Sequence, residues 1–133
     1  MKKVLLVFLF LAVIITTACG GKTNWDSSSD TIPAEYAGKT NPLGAGAASV
    51  GAEIFKTDCA ACHGETGHGD GAAGAGLYPA PKNLAELQKQ VGDDYLFWRI
   101  NTGKAGTAMV SWKGILTEEQ IWQVISFLHT LQN

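Results

Sequence analysis

The stretch CAACHGETGHGDGAAG, Cys59 to Gly74, decides how the whole chain is read. It holds two of the three cysteines, two of the three histidines and five of the sixteen glycines. Two motifs occur in it. Cys59-Ala-Ala-Cys62-His63 fits C-x-x-C-H, the spacing of covalent haem attachment. Gly69-Asp-Gly71-Ala-Ala-Gly74 fits G-x-G-x-x-G, a dinucleotide-binding fingerprint. The second match needs a preceding strand and a following helix in a β-α-β frame. Here it follows a cysteine motif inside a polar loop, and no alternating strand run occurs anywhere in the chain. Asp93 and Asp94 fall about 20 residues past Gly74, where that fingerprint places its acidic residue, but without the frame this is coincidence. Glycines in such a loop have a second use, which is to let backbone lie close to a flat ring.

The first match has a definite chemistry. Two thiols, three positions apart, add to the two vinyl groups of haem and form thioethers, and the adjacent imidazole then ligates the iron. Two competing readings are weaker. A thioredoxin-type C-x-x-C belongs beside a β-α-β pattern. A structural zinc site takes four ligands, and Cys59, Cys62, His63 and His68 are crowded for that, with no second C-x-x-C to complete it. The expected cofactor is one covalent haem c, bound through Cys59 and Cys62 with His63 on the iron. Met109, in a loop 46 residues after His63, is the expected sixth ligand. A thioether there favours ferrous iron and raises the potential. The competing reading of a lone methionine is core filler. His68 lies five residues from His63, too near to reach the opposite face, and His129 falls in the last turn of a helix, where a solvated side chain is expected.

The rest of the chain is arranged around this site. Its 133 residues suffice for one domain, and a formal charge of −2 argues against nucleic-acid binding. Lys2 and Lys3, the apolar run Val4–Ile15 and the small residues up to Gly20 form a secretory signal, too short to span a bilayer. Residues 1–18 are assigned to that signal, 19–46 to a flexible tether rich in Gly, Ser, Thr and Pro, and 47–133 to the folded domain. Trp25 and Tyr36 are the tether's aromatics, either docked on the domain or exposed. A helix is expected from Ala47 into Cys59, with Val50, Ile54 and Phe55 apolar. Asn83 caps a short helix with Glu86 at its third position, carrying Leu84, Leu87 and Val91 and ended by Gly92. Asp93 caps a second one, ended by Gly103. Thr117-Glu-Glu-Gln120 is a capping box for the last helix, with Ile121, Val124, Ile125 and Leu128 at its apolar spacing. The fold class is all-α.

Residues 47–133 resemble a class I c-type cytochrome. The likeness is carried by GAEIFKTDCAACHGETGHGDGAA, YPAPKNL, YLFWRINTG and TAMVSWKGILTEEQIWQVISFLHTL. It implies a cytochrome c fold of three to five helices around one haem. It also implies that Gly51 and Phe55 of the first helix cross Val124 and Phe127 of the last. A proline carbonyl is expected to accept the hydrogen bond of the axial histidine, Pro79 being the first choice and Pro81 the alternative. Trp98 and Trp112 are expected on or near the haem, and Tyr95 or Arg99 either near a propionate or in plain core or surface packing. The family's usual proline after the methionine is Val110 here, which implies a looser sixth ligand. The signal resembles that of a bacterial lipoprotein, with Cys19 as the lipid anchor although Thr16 stands where that family usually has Leu. The competing reading is ordinary cleavage that leaves Cys19 a free thiol. The expected function is one-electron transfer without substrate turnover, on the extracytoplasmic face of a bacterial membrane. Partners would be a membrane oxidase, a reductase or a quinol-oxidising complex. Two alternatives are a fixed subunit of a respiratory complex and a ligand-reactive haem protein with a labile Met109.

Overall fold

The computed structural model describes residues 30–132, so the signal, Cys19 and Trp25 lie outside the described residues. Five α-helices make up the domain: α1 (Ala48–Asp58), α2 (Ala60–His63), α3 (Leu84–Leu87), α4 (Asp93–Thr102) and α5 (Glu118–Leu128). No strand occurs among the described residues, and the all-α expectation holds. The packing of α1 on α5 is the backbone of the fold. A Cβ built on Gly51 would lie 1.8 Å from the Gln123 carbonyl oxygen, so only glycine lets the two helices touch here. One turn later the Phe55 and Phe127 rings meet with centroids 5.1 Å apart. Val50, expected on the apolar face, is half exposed because Gly51 takes the inward position.

Two of the three helix starts expected from side chains are present. Thr117 and Gln120 exchange hydrogen bonds as a capping box at α5, and Asn83 accepts from the Glu86 amide at 3.1 Å. The α3 helix stops at Leu87, short of Val91, because the chain tightens there into i→i+3 bonds, Lys89 to Glu86 and Gln90 to Leu87. At α4 the cap is Gly92 instead of Asp93; Asp93 and Asp94 occupy the first turn, where the helix dipole favours negative charge. Buried Phe97 of α4 stacks against Trp122 of α5 at 4.3 Å between centroids.

The expected flexible tether does not hold from Asp30 to Gly46. This strap is laid across α4 and α5. Tyr36 is buried at 8 % exposure, lies 6.2 Å from the Phe97 ring, and its hydroxyl accepts from the Asn101 amide group at 2.9 Å. The Asn41 side chain donates to the Trp122 carbonyl at 3.0 Å and to the Ser126 hydroxyl at 2.9 Å. Asp93 and Asp94 accept from the Asn41 and Gly38 amides. Composition argues for disorder when a segment must bury surface by itself. Here Ile32, Tyr36 and Leu43 use a surface that α4 and α5 already provide, so a few anchors offset the ordering entropy.

Candidate functional site

Where α1 ends, the chain makes a single extra turn, with the Cys62 and His63 amides both donating to the Cys59 carbonyl. That turn brings Cys59, Cys62 and His63 onto one wall of a cavity of about 230 Å³. Phe55 and Val124, from the α1–α5 crossing, line it as well, and so do Leu96 and Ile100 of α4. Met109 arrives on the loop between α4 and α5 and lines the same space. Its backbone is held at both ends: its amide donates to the Thr107 hydroxyl at 3.1 Å and its carbonyl accepts from the Lys104 amide at 3.0 Å. Val110 follows it on the surface, so these two bonds fix backbone where a proline would otherwise stiffen it.

Burial, and after it the nearby charges of Asp58 and Cys62, pushes the Cys59 thiol up to about 12. A group held so firmly as a thiol is a poor redox nucleophile or zinc ligand at neutral pH, since both roles need the thiolate. Among the described residues no three His, Cys, Asp or Glu side chains converge to hold a metal ion, so the structural-zinc alternative lacks its donors. Burial lowers the His63 pKa, although its hydrogen bond to a backbone carbonyl works the other way. The ring is therefore neutral, with Nδ1–H donating and the Nε2 lone pair left for a metal.

The acceptor of that hydrogen bond corrects the expectation for Pro79. Pro79 lines the cavity, but His63 Nδ1 donates to the Lys82 carbonyl at 3.1 Å. The reason lies in the glycine loop. The Leu84 amide donates to the Gly67 carbonyl at 2.6 Å, and a Cβ on Gly69 would sit 2.6 Å from the Pro81 carbonyl oxygen. Segment 81–84 is thereby pressed on the loop and presents its Lys82 carbonyl to the imidazole. On the other side, a Cβ on Gly71 would lie 2.4 Å from the Ala61 carbonyl oxygen. These glycines pack loop against α2 and against segment 81–84; none of them lines the cavity, so the expected contact with a flat ring is not their role.

Other expected residues divide. Trp112, Tyr95 and Arg99 line the cavity, whereas Trp98 does not. Trp98 instead carries the Arg99 guanidinium on its face at 3.7 Å from the ring centroid. His68 bonds Thr66 at 2.8 Å, and His129, expected to be solvated, bridges Asp93 at 2.7 Å and Gln88 at 3.2 Å. Neither lines the cavity. Sequence reasoning missed Asp30, whose carboxylate pairs with both Arg99 and Lys104 at 2.6 Å. No local signal marks it, because Lys104 is 74 residues away along the chain.

The space fits a haem in the character of its walls. They are largely apolar, with two thiols and a neutral imidazole on one side and a thioether-bearing residue on another loop. Arg99 Nε is buried with no hydrogen-bond partner, a donor that an acid group of the cofactor would satisfy.

Residues 46–128 match the family described as cytochrome c oxidase, cbb3-type, subunit III. The chain is 35% identical over 86 residues to the cbb3-type cytochrome c oxidase subunit FixP of Azorhizobium caulinodans, covering 64% of this chain and 27% of that protein. It is 32% identical over 97 residues to subunit FixPc of Rhizobium leguminosarum bv. viciae, covering 71% of this chain and 31% of the relative. The chain thus spans about a third of the length of the curated relatives it matches. Its fold is similar to that of a chain in the Kuenenia stuttgartiensis reducing HAO-like protein complex Kustc0457/Kustc0458. There the TM-score is 0.59 at 23% identity, over 69% of this chain and 47% of that one.

Proposed function

The chain belongs to the cytochrome c oxidase, cbb3-type, subunit III family, a family of c-type cytochrome domains, and from that premise we propose that it carries single electrons on one covalent haem c. Cys59 and Cys62 would hold the haem as thioethers, and His63 and Met109 would ligate its iron. One observation carries this reading: the α1–α2 junction, α2 and the α4–α5 loop bring two thiols, an imidazole with one nitrogen already engaged, and a methionine to a single apolar cavity. The haem supplies a reversible one-electron iron couple. Protein groups orient it, exclude water and keep His63 neutral. With both residues on the iron, no position would be left for a substrate, which suits an electron carrier.

Of the working arrangements, a fixed subunit of a membrane oxidase is better supported than a free shuttle. The two relatives named above are cbb3-type oxidase subunits by name. Among the described residues no helix is long and apolar enough to cross a membrane. Lipidation of Cys19 on the extracytoplasmic face supplies attachment in this reading. Haem staining after denaturing electrophoresis tests covalent attachment; Cys59→Ala with Cys62→Ala should abolish it, and persistent stain would refute the assignment. Cys19→Ala should release the protein to the soluble fraction. Co-purification with an oxidase in mild detergent supports the subunit arrangement, and recovery of the protein alone contradicts it.

A further inference from the structure

Arg99 and Lys104 both line the cavity, and both are held by one carboxylate from outside it. That carboxylate, Asp30, belongs to the strap, not to α4, and lies outside the stretch that matches the family, residues 46–128. Tyr95, another cavity residue, donates its hydroxyl to the same carboxylate at 3.3 Å. The guanidinium is also boxed in by aromatics, at 3.7 Å from the Trp98 centroid and 5.3 Å from that of Tyr95. Its Nε remains buried and unpartnered. So the strap places an anion one side chain away from the cavity, through cations that face it.

We infer that Asp30 is a positioning residue that couples docking of the strap to the oxidation state of the haem. The inference rests on the proposed haem site. Arg99 is shared: one NH₂ group serves Asp30, and Nε serves an acid group of the cofactor. When the iron takes one electron from its redox partner, the site loses one unit of positive charge, and no bond breaks at the haem. A nearby carboxylate stabilises the ferric state more than the ferrous, so the docked strap lowers the potential. Linkage makes the effect reciprocal: the ferric haem holds the strap more tightly than the ferrous haem does.

The test uses the full haem-loaded chain with Asp30→Asn and Asp30→Glu. Spectroelectrochemical titration should show Asp30→Asn raising the midpoint potential. The reduction equilibrium should shift by about threefold to tenfold, the upper figure being about 59 mV for a one-electron couple. Asp30→Glu, which keeps the charge, should return it toward the parent value. Trypsin reads the strap directly, through cleavage after Lys39, the only basic residue between Asp30 and Gly46. Cleavage in the parent should be faster in the reduced protein than in the oxidised one, and the difference should shrink in Asp30→Asn. An unchanged potential in Asp30→Asn, or equal cleavage rates in the two oxidation states of the parent, overturns the inference. Haem staining of the same preparations, and a redox titration of a Met109→Ala variant beside the parent, test the haem site itself. Their failure would remove the haem assignment, whereas their success with a silent Asp30→Asn removes only the coupling.

Discussion

Replacing Gly51 by alanine probes the contact on which the cavity is built. The added Cβ would lie 1.8 Å from the Gln123 carbonyl oxygen and 2.4 Å from its carbon, both backbone atoms that no rotamer change can move. Restoring ordinary contact at 3.4 Å requires the two helices to part by about 1.6 Å. That motion separates the Phe55 and Phe127 rings and loosens two cavity walls, Phe55 and Val124. Overpacking costs roughly 1–3 kcal/mol where side chains can adjust, and a backbone clash belongs at or above the top of that range. Alanine's better helix propensity returns about 1 kcal/mol. The net loss is therefore about 2–3 kcal/mol, a fall in Tm of roughly 10–20 °C for a domain of this size. Thermal unfolding of the haem-loaded protein, followed by far-ultraviolet circular dichroism, measures it. Gly46→Ala is the control, because a Cβ there meets nothing within 4 Å; it should be neutral or slightly stabilising. A Gly51→Ala protein as stable as the parent would refute the close-crossing argument.

Three further outcomes follow from the packing and charges. Tyr36→Ala should destabilise the domain by about 3 kcal/mol, the scale of a buried aromatic truncation, in a denaturant titration; a flexible tether predicts no change. Thr117→Ala should cost about 1 kcal/mol through loss of the capping box, and a far smaller loss by the same assay would mean that α5 is held by packing alone. For acid stability the sign is set by Asp30. Burial pushes its carboxyl up, but hydrogen bonds and charge from Lys104 and Arg99 outweigh this and hold it below 3.8. Its contribution is fully present above 3.8 and is lost as pH falls below that value toward the lowered folded pKa. Denaturation midpoints measured down through this range should fall less steeply in Asp30→Asn than in the parent, and parallel curves would contradict the assignment.

Most of the helical frame was legible because local chemistry fixes it. Thr117 with Gln120 and Asn83 with Glu86 announce helix starts within four residues, and Cys59, Cys62 and His63 are neighbours in sequence as in space. What was not legible depends on distant partners. The strap is polar by composition, and its anchoring depends on Trp122, Ser126, Arg99 and Lys104, all more than sixty residues away. The family pattern points to Pro79, three residues before the Lys82 carbonyl that accepts from His63, because a pattern cannot say how the glycine loop presses on segment 81–84. In the sequence Gly69 and Gly71 read as ring contacts, but their close neighbours are the protein's own Pro81 and Ala61 carbonyls.

The central claim is that His63 and Met109 share one haem iron in a one-electron carrier. A redox titration with absorption spectra, on the parent and on Met109→Ala, tests it most directly. Loss of the thioether should lower the midpoint potential strongly, since a neutral, weakly donating sulfur favours ferrous iron, and should convert the oxidised iron to high spin. A variant with the parent's potential and spectrum would show that Met109 only lines the cavity, and that the iron is held in some other way.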